Sequence, residues 1–240
     1  MENVYINRIG MAAGIVAVMQ DGVIRNCSSS GYIRGTSAVG GIVGMGSGII
    51  EKCYSVIEIN CGTGNSGGLV GQFGVFTGQS IIKSCYSIST VRGAMNLGGL
   101  VGSVNYADIL DCYTITNVGG DRASMYIGGV VGYMGAGKIN NCYVIGSISK
   151  WDESFATCFI GGIAGSSGTE LKNCFAILEK ISIEKFNRIN SEAIAVLYAY
   201  ISGTGAYPSN NNTVLDSIVI ENTSILPREN YDYTKSVKEL

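Results

Sequence analysis

Histidine is absent from this 240-residue chain, which removes Ser-His-Asp and Cys-His catalysis, His-ligated zinc and the His-Glu-x-x-His peptidase helix together. Charge is also scarce: 16 Lys and Arg stand against 18 Asp and Glu, a net charge of -2. No electrostatic footprint for nucleic acid or an anionic membrane follows from that balance. No apolar run reaches the roughly 18 to 20 residues that a bilayer-spanning helix needs, so no membrane insertion is expected. Between Gly14 and Gly168 no window offers 10 to 15 residues of helical periodicity free of glycine, which argues against helices there. The first residues lack the basic, apolar, small-residue order of a signal peptide, and Tyr233 to Leu240 carry no obvious cap. The sequence is therefore expected to be part of a longer parent chain.

What is abundant is glycine, 35 residues with only two prolines. The absence of a Gly-X-Y period excludes collagen, and 46% apolar residues is too many for disorder. The glycines fall in a phrase close to Gly-Gly-(Leu/Ile/Val)-Val-Gly that recurs at Gly40 to Gly44, Gly67 to Gly71, Gly98 to Gly102, Gly128 to Gly132 and Gly161 to Gly165. Six cysteines align behind these phrases, Cys27, Cys53, Cys85, Cys112, Cys142 and Cys174. Three residues before each lies Ile or Leu, and three after lies Ser30, Val56, Ile88, Ile115, Ile145 or Ile177. Self-similarity at about 30 residues with β-branched columns predicts stacked supersecondary units built of strands.

The expected fold is all-β: a parallel β-helix of about six to seven coils, three short strands per coil, right-handed by the crossover rule. Residues 1–180 read as repeats and 181–240 as closing coils of the same domain. Insertions at Gly74 to Ser80 and Asp152 to Thr157 are expected at corners, where the backbone is not laddered. Beyond Phe175, Ile194 to Ile201 and Thr213 to Ile220 read as closing strands, with a short capping helix over Ser191 to Tyr200 as the alternative.

Two columns are candidate sites. The cysteines could form a disulfide or metal ladder; no Cys-x-x-Cys zinc spacing occurs, and in-register parallel neighbours approach poorly for an S–S bond, so free thiols acting as small apolar fillers are favoured. The aromatic column Tyr54, Tyr86, Tyr113, Tyr143 and Phe175 follows immediately, and adjacent strand residues face opposite ways. Strict alternation would put tyrosine inside. A corner at the preceding Asn position would put cysteine inside and leave a tyrosine stripe outside, able to stack on sugars or to pack beside its neighbours. The corner is the favoured reading.

Asn26, Asn141, Asn173 and Asp111 read as turn formers that hydrogen-bond their own backbone rather than as cation ligands. Arg25, Glu51 and Lys83 read as a solvated ladder of alternating sign. Asp108 with Asp111 and Asp152 with Glu153 are the close acidic pairs within the repeats, both placed at exposed corners, and Lys138, Lys150 and Arg122 are scattered, so no catalytic residues, metal site or cofactor are expected. The glycine phrases match neither a phosphate loop nor a calcium-binding nonapeptide.

At Gly68-Leu69-Val70-Gly71, Gly99-Leu100-Val101-Gly102 and Asn141-Cys142-Tyr143 the sequence resembles proteins with GLUG repeats. The resemblance covers roughly residues 10 to 180. It implies a cell-surface or secreted bacterial protein, such as an adhesin or the non-catalytic repeat region of an IgA-specific metallopeptidase. The implied role is a non-catalytic, extracellular scaffold, a spacer or adhesive surface with host or matrix glycans or proteins as partners. A glycan-binding module using the tyrosine column and a carbohydrate-active β-helix enzyme are the alternatives.

Overall fold

The computed structural model describes residues 3–76, 78–150, 158–169, 171–183, 196–199, 213–214 and 219–221. The regular elements among them are all strands, and every pairing between them is parallel. One coil is represented by Ala38–Gly40, Val43–Gly46, Ile49–Glu51 and Tyr54–Cys61. Each segment lies in register on its counterpart one repeat later: Asn65–Gly67, Val70–Phe73, Ile81–Lys83 and the start of Tyr86–Gly98. The result is a β-helix of about six turns in two sheets. The sheet that carries the Cys-Tyr segments runs without a break from Val4–Asn7 to Thr213–Val214.

The coil is divided more finely than the three strands expected from sequence. The glycine phrase is a corner rather than a strand, so the apolar stretch around it splits into two short segments such as Ala38–Gly40 and Val43–Gly46. In the middle coils segments fuse across the other junctions, giving Val101–Leu110, Tyr113–Gly128 and Val131–Asn140. The Gly74 to Ser80 insertion falls between Val70–Phe73 and Ile81–Lys83, at a junction as expected. A second extension, unforeseen, lies between Gly120 and Ser124, where the register with Gly93 to Met95 shifts. Asp152 to Thr157 lie outside the described residues. In the tail, Val196–Ala199 pairs with Cys158–Gly161, and Thr213–Val214 and Val219–Glu221 pair with Phe175–Ile183. The other residues of the tail, and so most of the helix alternative over Ser191 to Tyr200, lie outside the described set.

Both corners follow from residue chemistry. At the glycine corner a Cβ on Gly41 would lie 2.6 Å from Ser55 Cβ, and one on Gly102 would lie 2.5 Å from Ser66 N. Backbone therefore meets side chain or backbone with no room for a methyl group, which only glycine permits. At the other corner Asn26, Lys52, Ser84, Asp111, Asn141 and Asn173 all hold φ between 52 and 55°. That left-handed conformation is best tolerated by Asn and Asp among non-glycine residues. One left-handed residue shifts the inside–outside alternation by one position, so Ile50 and Cys53 both point inward.

The core is a set of ladders, one residue per coil. Ile42, Leu69, Leu100, Val130 and Ile163 of the phrase are fully buried, as are Ile50, Ile82, Ile109 and Ile139 from the opposite arm. Ile33, Ile59, Val91, Val118 and Ile148, six residues beyond the cysteines, complete the interior.

Candidate functional site

Cys53, Cys85, Cys112, Cys142 and Cys174 point into the core at 1% exposure or less, and Cys27 at the first coil is half-buried. No disulfide joins any of the eight cysteines. Their place is tied to the left-handed corner, which turns two consecutive N–H groups to one side. Asn26 N–H reaches the Glu51 carbonyl at 3.1 Å, and Cys27 N–H reaches Cys53 Sγ at 3.4 Å instead of a carbonyl. Cys53 and Cys85 N–H repeat this contact with Cys85 and Cys112 Sγ. Each thiol donates in turn to a carbonyl two residues back, as Cys112 does to Leu110 at 3.1 Å. The cysteine is thus a corner clasp with one donor and one acceptor, more than the apolar filler expected from sequence. Burial pushes the Cys112 thiol well up and the Cys174 thiol up to about 12. The Cys53 thiol is also raised, first by its bond with Cys85 and then by burial. No group of three or more metal-ligating side chains occurs among the described residues.

The same phase shift turns the aromatic column outward. Tyr54, Tyr86, Tyr113 and Tyr143 stack on one another with ring centroids 4.8 to 4.9 Å apart and planes within 7° of parallel. Phe175 continues the column in register with Tyr143. Two residues along the same strands, Val56, Ile88, Ile115, Ile145 and Ile177 form a second outward column. Exposure in the two columns reaches 36 to 45% at Tyr54, Val56, Ile88, Ile115, Tyr143, Phe175 and Ile177. The β-branched column, read from sequence only as strand-forming, is therefore half of an apolar face. Burial among neighbouring rings raises the Tyr86 and Tyr113 phenols, with the adjacent phenols adding to the effect.

The remaining candidates stay apart. Arg25 Nε meets Glu51 Oε2 at 2.8 Å on the surface. Asn141 Nδ2 donates to Asp111 Oδ1 at 3.0 Å, so the corner column is linked between coils, and its residues hold the left-handed φ of the turn. Asp108 sits in a strand opposite Lys138, whereas Asp111 occupies the exposed corner. Lys150 is buried, with Nζ donating to the Ser124 carbonyl at 3.4 Å. Asp152, Glu153 and the Arg122 side chain lie outside the described residues.

One column escaped the sequence reading. Ser29, Ser55 and Thr114, the residue after the aromatic position, point inward, and each hydroxyl donates to a glycine-phrase carbonyl: Gly41 at 2.6 Å, Gly68 at 2.7 Å and Gly129 at 2.9 Å. This ladder fastens the Cys-Tyr sheet to the glycine corner opposite. Its signal was in the sequence, since Ser or Thr follows Cys-Tyr in three consecutive repeats, Ser55, Ser87 and Thr114.

The GLUG motif model matches residues 123–149, the repeat that holds Gly128 to Gly132 and Asn141-Cys142-Tyr143. No curated protein and no solved structure matches the chain. The matched repeat shares its columns in register with the coils on either side of it. One repeat of the chain, residues 123–149, thus carries the GLUG motif, within a chain folded as a β-helix.

Proposed function

We propose that this chain is a non-catalytic β-solenoid module of a bacterial surface or secreted protein, serving as a spacer whose tyrosine face is adhesive. The observation that carries this reading is the sameness of the coils. Thiol, hydroxyl, aromatic and β-branched residues return at the same rung, so no described coil gathers a separate set of acids and bases in the way a reaction centre does. The thiols of the column, five of the six buried, are shielded from oxidants, so their reduced state is compatible with an oxidising exterior. Glycan stacking on the tyrosine column is the weaker alternative. From Tyr54 to Tyr143 each ring covers the face of the next, and a sugar would meet edges and hydroxyls instead of ring faces.

An array of immobilised glycans and matrix proteins tests the adhesive part. Binding by the intact chain that falls at least tenfold in Tyr86→Ser/Tyr113→Ser is expected; no ligand at high protein concentration reduces the module to a spacer. Turnover of any polysaccharide, lost in Asp108→Asn or Asp111→Asn, would overturn the non-catalytic reading.

A further inference from the structure

The two outward columns enclose a furrow that runs along the helix axis. One wall is the aromatic column from Tyr54 to Phe175 and the other is Val56, Ile88, Ile115, Ile145 and Ile177. The residues between them, such as Ser87 and Thr114, point inward, so the floor is bare backbone. Residues two apart on a strand are about 7 Å from each other, and five rungs at about 4.8 Å give a length of roughly 19 Å. The furrow is straight, because ring planes from Tyr54 to Tyr143 deviate by 3 to 7° per step.

These dimensions select the occupant. A strip that narrow is far below the ~800 Å² per partner that a stable protein interface buries. The wall of tyrosines presents ring edges, whose positive quadrupole favours the face of another π-system in edge-to-face contact. Around the three middle rungs the flanking outward positions are Ser84, Asp111 and Asn141 on one side and Thr90, Asn117 and Ser147 on the other. Asp111 is the one charge among these six, so negative charge on a ligand is disfavoured there.

We infer that this furrow is a binding site for a rod-shaped, planar, conjugated molecule without negative charge, lying parallel to the helix axis with its face against the tyrosine edges. The inference stands on the geometry of the face and holds whether or not the module is a spacer or an adhesin.

Thioflavin T, a rod-shaped planar monocation, is the probe, titrated into the full chain by fluorescence and by equilibrium dialysis. Saturable binding near one molecule per chain is expected. Ile115→Lys, which puts a cation into the furrow at an exposed position, should weaken it at least tenfold. Tyr113→Phe keeps the wall and should bind within twofold of the parent, as should Tyr106→Ser, an exposed tyrosine elsewhere. If Ile115→Lys fails to fold by circular dichroism, Ile88→Thr keeps a β-branched residue and should weaken binding about threefold. A planar disulfonated dye should bind at least tenfold more weakly. The proposal is overturned by the absence of saturable binding, by equal affinity in the folded furrow variant, by equal loss in Tyr106→Ser, or by displacement of the dye through self-association or by a linear oligosaccharide. Failure here leaves the glycan and matrix array to judge adhesion separately.

Discussion

Gly68 illustrates how one residue type is dictated by another across the coil. A Cβ at that position would press on Ser87 Oγ and on the Gly99 carbonyl, and a second hydroxyl, Ser89 Oγ, lies 2.6 Å away. Gly68→Ala is expected to lower stability by about 3 kcal/mol, the upper range of overpacking a close-packed site, measured as a drop in the denaturant midpoint. Gly22 is the control: its φ of +113° disfavours a side chain, yet nothing lies within 4 Å. Gly22→Ala should cost only about 1 kcal/mol of backbone strain. The opposite sign is expected at the left-handed corner. Lys52 holds φ 54° where Asn26, Asn141 and Asn173 hold the same conformation with a better suited residue. Lys52→Asn should raise stability by about 0.5 to 1 kcal/mol; a lower midpoint would show that the Lys52 side chain contributes more than its backbone strain takes away.

The element that unites these residues is the corner from Ile50 to Ser55, and it also separates what the sequence could tell from what it could not. The spacing of the cysteines made the coil and the parallel stacking legible, because only a repeated unit returns the same residue at the same place. The facing of cysteine and tyrosine was open, since alternation and a corner gave opposite answers, and the φ of a single residue decides between them. The hydroxyl column was overlooked because serine after tyrosine reads as a polar surface residue until the sheet opposite is known to be glycine. The thiol's hydrogen bonds were invisible for a similar reason: they answer a backbone N–H that exists only once the corner is formed. They carry an expectation that separates clasp from filler. Cys112→Val keeps the apolar volume but leaves Cys85 N–H without its acceptor, while the Leu110 carbonyl keeps the Ser84 N–H, at about 1 to 3 kcal/mol for a buried polar group left unsatisfied. Cys112→Ser keeps a donor and an acceptor and should be the milder change. If valine proves milder than serine by chemical denaturation, the thiols are fillers after all.

In the whole molecule each coil touches its neighbours, so stability is a sum of coil and interface contributions, and a perturbation present in many coils is felt along the entire rod. Titration is such a perturbation. With no histidine, no side chain has an ordinary pKa near 6.5. Burial raises Cys61, Cys112, Cys174, Tyr86 and Tyr113 from ordinary values of 9 and 10, whereas in the bonded pair Cys53 is raised and Cys85, which its neighbouring thiols hydrogen-bond, is lowered. A raised pKa means that the folded state holds its proton more tightly than the unfolded chain. Above the unfolded value the unfolded state releases protons that the folded state retains, so the slope of stability against pH is negative. The stability the raised groups contribute is therefore complete below pH 9 and is lost as pH rises from 9 toward 12, the Cys174 value. Unfolding midpoints measured from pH 6 to pH 11 should show a fall confined to the alkaline limb. On that limb, absorbance of the buried thiolates should appear together with loss of the far-ultraviolet β signal rather than ahead of it, because the buried thiols raised by burial ionise only as the coils separate. Thiolate absorbance developing near pH 9 in a chain whose β signal is intact would place the cysteines in contact with water and remove the buried clasp from the account of the fold.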